Sequence, residues 1–85
     1  VYSIGDAEAE VIEAMVLGTS PIAGQRVKDI GFPEGTIIGG VFQNGKVIKP
    51  TGEMRINEGD AIAIFAMAPD VPEIERLLQV SIDFF

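Results

Sequence analysis

Thr36-Ile37-Ile38-Gly39-Gly40-Val41-Phe42-Gln43-Asn44-Gly45-Lys46-Val47-Ile48-Lys49-Pro50-Thr51-Gly52 is the stretch that decides the fold of this chain. Residues 36–43 are rich in β-branched and aromatic side chains, which suit a pleated, half-buried surface. Asn44-Gly45 then reverses the chain. A two-residue type I′ turn needs positive φ at both central positions, and Asn and Gly reach that region at the least steric cost. Lys46 to Lys49 returns as the partner strand, with Val47 and Ile48 on opposite faces. Pro50 has no N–H to give to a ladder, and with Thr51 and Gly52 it ends the hairpin.

Toward the C terminus, Met54-Arg55-Ile56 reads as a short extended piece and Glu58-Gly59-Asp60 as a tight turn. Ala61 to Ala66 is the next strand. Ile62, Ile64 and Ala66 share one face; Ala61, Ala63 and Phe65 share the other. Both faces are apolar, which predicts a central strand covered on both sides. Asp70 is an N-cap residue, Pro72 sits near the first helical position, and Glu73 completes an Asp-x-x-Glu box. The helix runs to about Leu78 and buries Ile74, Leu77 and Leu78. Val80 to Phe85 alternates apolar and polar like a strand until its last residue.

Toward the N terminus, residues 8–18 favour a strand, although their Glu and Ala content also suits a helix. Thr19-Ser20-Pro21 is a turn. Residues 23–30 predict a short helix with Val27 and Ile30 on one face, Gly31 as its left-handed stop and Pro33 just beyond. Pro33-Glu34-Gly35 is a turn. The glycines in Gly35-Thr36-Ile37-Ile38-Gly39-Gly40 lack Gly-x-Gly-x-x-Gly spacing and no helix follows, so they read as close backbone approach or a bulge within a strand. The sum is a single α+β domain over residues 1–85: a mainly antiparallel sheet of about four strands with two helices, and 80–85 as a C-terminal tail.

Composition narrows function by exclusion. Cysteine and histidine are both absent, so disulfides, thiolate chemistry, the commonest metal ligand and the commonest general base are missing. Glu8, Glu10 and Glu13 read as the wet face of a strand, and Glu58 with Asp60 as turn residues; two carboxylates are too few for calcium. No nucleophile–base pair can be assembled, so neither a catalytic nor a metal site is expected. Six Lys and Arg against thirteen Asp and Glu give a net charge of −7, which repels phosphate backbones and argues against nucleic acid. No apolar run nears the roughly 18 to 20 residues that cross a bilayer, and no signal peptide is evident. A chain opening on Val1 is expected to be a piece of a longer or processed polypeptide. Met15, Met54 and Met67 read as core or interface filler.

Several of these landmarks recur together in one family. Ser20-Pro21-Ile22-Ala23-Gly24-Gln25 precedes the first helix. Pro33-Glu34-Gly35-Thr36-Ile37-Ile38 enters a strand. Asn44 to Gly52 is a hairpin ending in Pro-x-Gly, and Ile56-Asn57-Glu58-Gly59-Asp60 leads into an apolar strand. Their order and spacing, over residues 8–78, resembles the TrkA C-terminal domain, also called the RCK C-terminal domain. Val80 to Phe85 is similar to the last residues of the potassium-uptake regulators that carry it.

The resemblance implies a regulatory ligand-sensing and dimerisation module. It implies a homodimer, following a Rossmann-type domain of the same chain that reads NAD(H) or an adenine nucleotide, with no cofactor in the present domain. The assembly would dock on a membrane potassium transporter subunit, placing the domain in the cytoplasm, peripheral on the inner face of the plasma membrane. By family position a small-molecule ligand would meet Ile30, Thr36, Ile37 and Pro50. Some relatives hold cyclic di-AMP between paired domains with a cationic side chain and an amide; the approximately matching Ile30 and Thr36 offer no positive charge, which speaks against a cyclic dinucleotide but leaves room for a backbone-lined pocket between subunits. Lys46, Lys49 and Arg55 read either as an anion-binding or docking patch or as solvated residues guarding an exposed edge. Ile82, Phe84 and Phe85 are expected at a dimer or interdomain contact. Two alternatives stand beside the regulatory reading: a purely structural dimerisation and ring-assembly domain without its own ligand, and the same module serving a different transporter or a transcription regulator.

Overall fold

A computed structural model describes residues 2–5 and 8–78. Among them, five strands form one antiparallel sheet: β1 (Tyr2–Ile4), β2 (Ala9–Met15), β3 (Ile37–Gln43), β4 (Lys46–Ile48) and β5 (Ala61–Met67). Their spatial order is β1-β2-β5-β3-β4. One α-helix, α1 (Val71–Leu78), follows β5. The α+β class agrees with the sequence reading; β1, a three-residue edge strand, is the addition. The tail at 80–85 lies outside the described residues.

The hairpin forms where the sequence places it. Asn44 (φ 52°) and Gly45 (φ 79°) supply the two positive φ values, and Gln43 pairs with Lys46. Between Ile38 and Gly40 the register with β5 slips by one residue, so Gly39 is the extra residue of a bulge. A Cβ on Gly39 would stand 3.4 Å from the ring of Phe65, so the glycine also lets β3 pass close to that side chain.

β5 is central, as its two apolar faces require, with β2 and β3 on either side. Only one face is covered, however. Ile62, Ile64 and Ala66 are buried with Ile12 and Val41 of the neighbouring strands and with Ile74 and Leu78 of α1. On the other face Phe65 remains 45% exposed and Met67 47%. The expectation of cover on both sides is therefore corrected. On the covered face α1 packs together with Val16, Ile22, Ile30 and Ile56 of the connecting segments, and no described helix lies on the second.

The expected helix at 23–30 is also corrected: only Val27–Asp29 makes a 3-10 turn. Gly24 adopts φ +82°, outside the helical region. The backbone N–H groups of Gly24, Val27 and Lys28 donate instead to the carbonyls of Ile56 (2.6 Å), Met54 (2.8 Å) and Gly52 (2.9 Å). Residues 24–28 thus run beside 52–56, joined by a bridge between Arg26 and Arg55, and the extended piece expected at 54–56 is the partner. So short a segment gains little from a costly helical nucleus, and donors satisfied across the chain leave it no reason to form.

Two smaller readings change. The helical path of the C-terminal segment begins with a 3-10 turn at Ala68–Asp70, so Asp70 lies within it rather than capping it. The glutamates of β2 do not share a wet face: Glu10 stands opposite Ala66 on the core side of the sheet and Glu13 opposite Ala63 on the other.

Asp60 closes the end of the core. It is 9% exposed and its carboxylate accepts from the Gln43 side-chain amide (2.6 Å) and the Asn57 N–H (2.8 Å). Its backbone carbonyl accepts from the Val16 N–H at 2.8 Å. One buried acid thus holds the end of β3, the Asn57–Asp60 turn and the exit of β2. Ser20, also buried, plays a similar part: its hydroxyl donates to the Leu77 carbonyl of α1 and accepts from the Ile22 N–H, both at 3.3 Å.

Candidate functional site

The pairing of 24–28 with 52–56 shapes the first candidate site. The 3-10 turn delivers Val27 and Ile30 to one side of a cleft, and the hairpin exit delivers Pro50, Thr51 and Gly52 to the other. The floor is the approach to β3. Thr36 N–H donates to the Pro33 carbonyl at 3.1 Å, and Gly35, at φ +91°, turns the chain into the strand. The cleft has a volume of about 430 Å³. All four positions implied for a ligand, Ile30, Thr36, Ile37 and Pro50, line it.

These four differ in presentation. Ile30 is 8% exposed and serves the core as much as the cleft, whereas Ile37 is 59% exposed. Thr36 Oγ1 is buried and has no hydrogen-bond partner. An unpaired buried hydroxyl costs free energy. Glu34 is the single charged side chain in the lining. The nearby cation Lys28, whose N–H holds the Gly52 carbonyl, is engaged: its Nζ lies 2.7 Å from Glu53, which Arg26 also approaches at 3.5 Å. Phe32 and Pro33 line the cleft too; the sequence marked Pro33 as a turn residue and gave no separate signal for Phe32.

The cationic trio does not act as a unit. Arg55 is tied down, its Nη1 donating to the Gly24 carbonyl at 2.7 Å. Lys46 and Lys49 are exposed and, among the described residues, make no ion pair. Lys46 lies on the edge strand β4, where a charge discourages unwanted pairing. Ile82, Phe84 and Phe85 lie outside the described residues.

The second candidate site is the open face of the sheet. Met15, Phe42, Val47, Phe65 and Met67 are all at least 45% exposed there, and the register places them together across four strands. A depression of about 320 Å³ lies among Glu13, Gly40, Phe42, Val47, Ala61 and Ala63. The two-sided apolar pattern of β5 was its sequence signal. No group of three or more acidic side chains that could hold a metal ion occurs among the described residues. No described helix is long and apolar enough to cross a membrane.

Comparison with known proteins places this geometry. Residues 11–79 match the TrkA-C domain family. The Trk system potassium uptake protein TrkA of Azorhizobium caulinodans is 40% identical over 85 residues, covering 100% of this chain and 19% of that protein. The TrkA homolog 2 of Methanosarcina mazei is 39% identical over 77 residues, covering 91% of this chain and 17% of that protein. This chain thus spans about a fifth or less of the length of these relatives. Among solved structures, an RCK domain with cda superposes with a TM-score of 0.68 at 19% identity, covering 80% of this chain and 96% of that one. That likeness establishes a shared fold. The matched span takes in the sheet from Val11 onward, the cleft and α1, and the chain belongs to the TrkA-C domain family.

Proposed function

We propose that this TrkA-C domain is a non-catalytic regulatory module of a potassium-uptake system, one that senses a small molecule in the cleft and works as a homodimer. The supporting observation is convergence: Ile30, Thr36, Ile37 and Pro50, drawn from separate segments, meet in one cleft with an unpartnered hydroxyl. A molecule held there touches the 30–36 loop, the first residue of β3 and the hairpin exit together. β3 pairs with both β4 and β5, so a shift at its start is carried into the sheet. A differential affinity for two arrangements of the domain worth about 1 to 3 kcal/mol suffices for regulation. The lining offers polar and apolar surface in equal measure and its one charge is acidic, which favours a neutral or weakly charged ligand over one rich in phosphate.

In the parent protein the module follows a Rossmann-type domain that binds NAD(H) or an adenine nucleotide. It acts from the cytoplasmic side on a membrane potassium transporter subunit. Lys46 and Lys49 are the cations available for that docking. Ile82, Phe84 and Phe85 supply apolar contact between two copies, symmetric pairs being the commonest oligomers.

A thermal-shift screen at two protein concentrations tests the reading. The panel holds adenosine, cyclic di-AMP, ATP, ADP, NAD(H), potassium, calcium and metabolite anions. A ligand at about 100 times its Kd adds about 2.7 kcal/mol, which raises Tm by roughly 10 °C or more in a domain of this size. A hit lost on Ile37→Asp supports the cleft. No hit, with Tm rising with protein concentration, replaces sensing by a purely structural pairing role. Deleting residues 80–85 should weaken self-association in sedimentation; an unchanged dimer removes the tail from the interface.

A further inference from the structure

The cleft owes its shape to a ladder that stops short. β4 pairs with β3 only through Gln43↔Lys46, Phe42↔Val47 and Val41↔Ile48, so residues 37–40 have β5 on one side and no strand on the other. Hydrogen-bonding direction follows from the turn. In a two-residue hairpin the residues flanking the turn exchange both backbone bonds, and such pairs then alternate along the ladder. Gln43 and Val41 therefore face β4, while Lys46 and Ile48 face β3. The next residue of the return strand due to face β3 is Pro50, which has no N–H to give. The two segments part there. Among the described residues no backbone hydrogen bond joins 36–40 to 49–52.

The same alternation decides which groups of β3 look into the gap. Phe42 and Gly40 face β5, opposite Ala61 and Ala63. On β5 the next residue turned toward β3 is Phe65, whose partner is Ile37. Ile38, opposite Ile64, thus turns its N–H and C=O away from β5 and toward the cleft that it lines. Strict alternation would have turned Ile38 to β5. The extra residue at Gly39 re-aims it, as a bulge does. The trans peptide after Thr36 sets the Thr36 C=O opposite the Ile37 N–H, and so on the cleft side as well. An acceptor–donor–acceptor row therefore stands free on one wall: Thr36 C=O, Ile38 N–H and Ile38 C=O.

Given the sensing role proposed above, on which this rests, we infer that the cleft reads its ligand through the backbone of Ile38. The ligand class is a planar, uncharged heterocycle whose edge carries adjacent hydrogen-bond donor and acceptor, as in a cyclic amide or amidine. Its donor meets the Ile38 C=O and its acceptor meets the Ile38 N–H. Val27, Ile30 and Pro50 supply apolar surface for the ring, and a volume of about 430 Å³ suits a small molecule. No cation in the lining meets an anionic group. An extended peptide fits less well. Strand addition draws on a row of main-chain bonds, and on this wall Ile38 N–H is the single free donor, since Val41 is paired with Ile48.

Carbostyril, a bicyclic cyclic amide, and N-methylcarbostyril, which lacks the donor, test this in NMR titrations of the whole 85-residue chain. Carbostyril should bind about tenfold more tightly than its N-methyl analogue. In the free chain the Ile38 amide should exchange its hydrogen rapidly, while the Ile37 amide, turned to β5, is protected. At about four times its Kd, carbostyril should slow exchange at Ile38 by about fivefold and leave Ile37 unchanged. Equal affinity for the two compounds, or an Ile38 amide that stays fast when the compound is bound, overturns backbone readout; shifts at Val27, Ile30 and Thr51 would then still keep the cleft as a ligand site. An Ile38 amide already protected in the free chain overturns it too, because the free edge would not exist. No shift in the cleft up to about 5 mM carbostyril overturns the ligand class and leaves the sensing role to the thermal-shift screen.

Discussion

Replacing Asp60 with alanine should cost this domain a large share of its stability. The Asp60 carboxylate is nearly buried and accepts two hydrogen bonds, from the Gln43 amide at 2.6 Å and the Asn57 N–H at 2.8 Å. Each is a bond to a charged acceptor, worth about 1.5 to 3 kcal/mol. Gln43 is only half-buried, so water recovers part of its bond once the partner is gone. A net loss of about 2 to 4 kcal/mol follows. A chain of this length holds roughly 4 to 13 kcal/mol in all, so about a third of it is at stake at the middle of both ranges. At about 4 to 8 °C per kcal/mol, Tm should fall by roughly 8 to 32 °C. Urea unfolding followed by circular dichroism measures the change directly. Gln43→Ala removes one of the two bonds and should cost about 1 to 2 kcal/mol. Because both variants break the same contact, the double variant should fall short of their sum by about 1 kcal/mol or more. Strict additivity, or an Asp60→Ala variant within about 0.5 kcal/mol of the parent, would refute the view that this acid fastens the hairpin to the core.

Three further outcomes are expected. Thr36→Val removes a buried hydroxyl that has no partner, so stability in urea should hold or rise by up to about 1 kcal/mol while any cleft ligand binds more weakly. Gly45→Ala forces a side chain to φ 79° in the hairpin turn and should cost about 1 to 2 kcal/mol in the same assay. Glu53→Ala breaks the cluster with Arg26 and Lys28, but the glutamate side chain is 69% exposed, so stability should fall by less than about 0.5 kcal/mol; a larger loss would show that the pairing of 24–28 with 52–56 depends on it.

What the sequence by itself determined were the features encoded within a few residues. The Asn44-Gly45 turn and its two strands were legible because only certain residues tolerate positive φ, and both residues adopt it. β5 and α1 were legible because the apolar side chains of Ala61 to Ala66 and of Ile74, Leu77 and Leu78 repeat with the periods of a strand and a helix. The four cleft positions were named from family resemblance, but that they share one cavity is a property of the folded chain. Residues 23–30 show the limit most clearly. Their composition allows a helix, yet the carbonyls of Gly52, Met54 and Ile56, more than 20 residues away, capture the donors a helix would use. The same holds for the open face. The alternation of β5 announced two apolar faces, but α1 covers only one, and a strand's periodicity contains no term for where a helix will pack. Local sequence sets backbone preference and side-chain alternation, whereas long-range hydrogen bonding and layer packing decide which preferences survive and which surfaces stay bare.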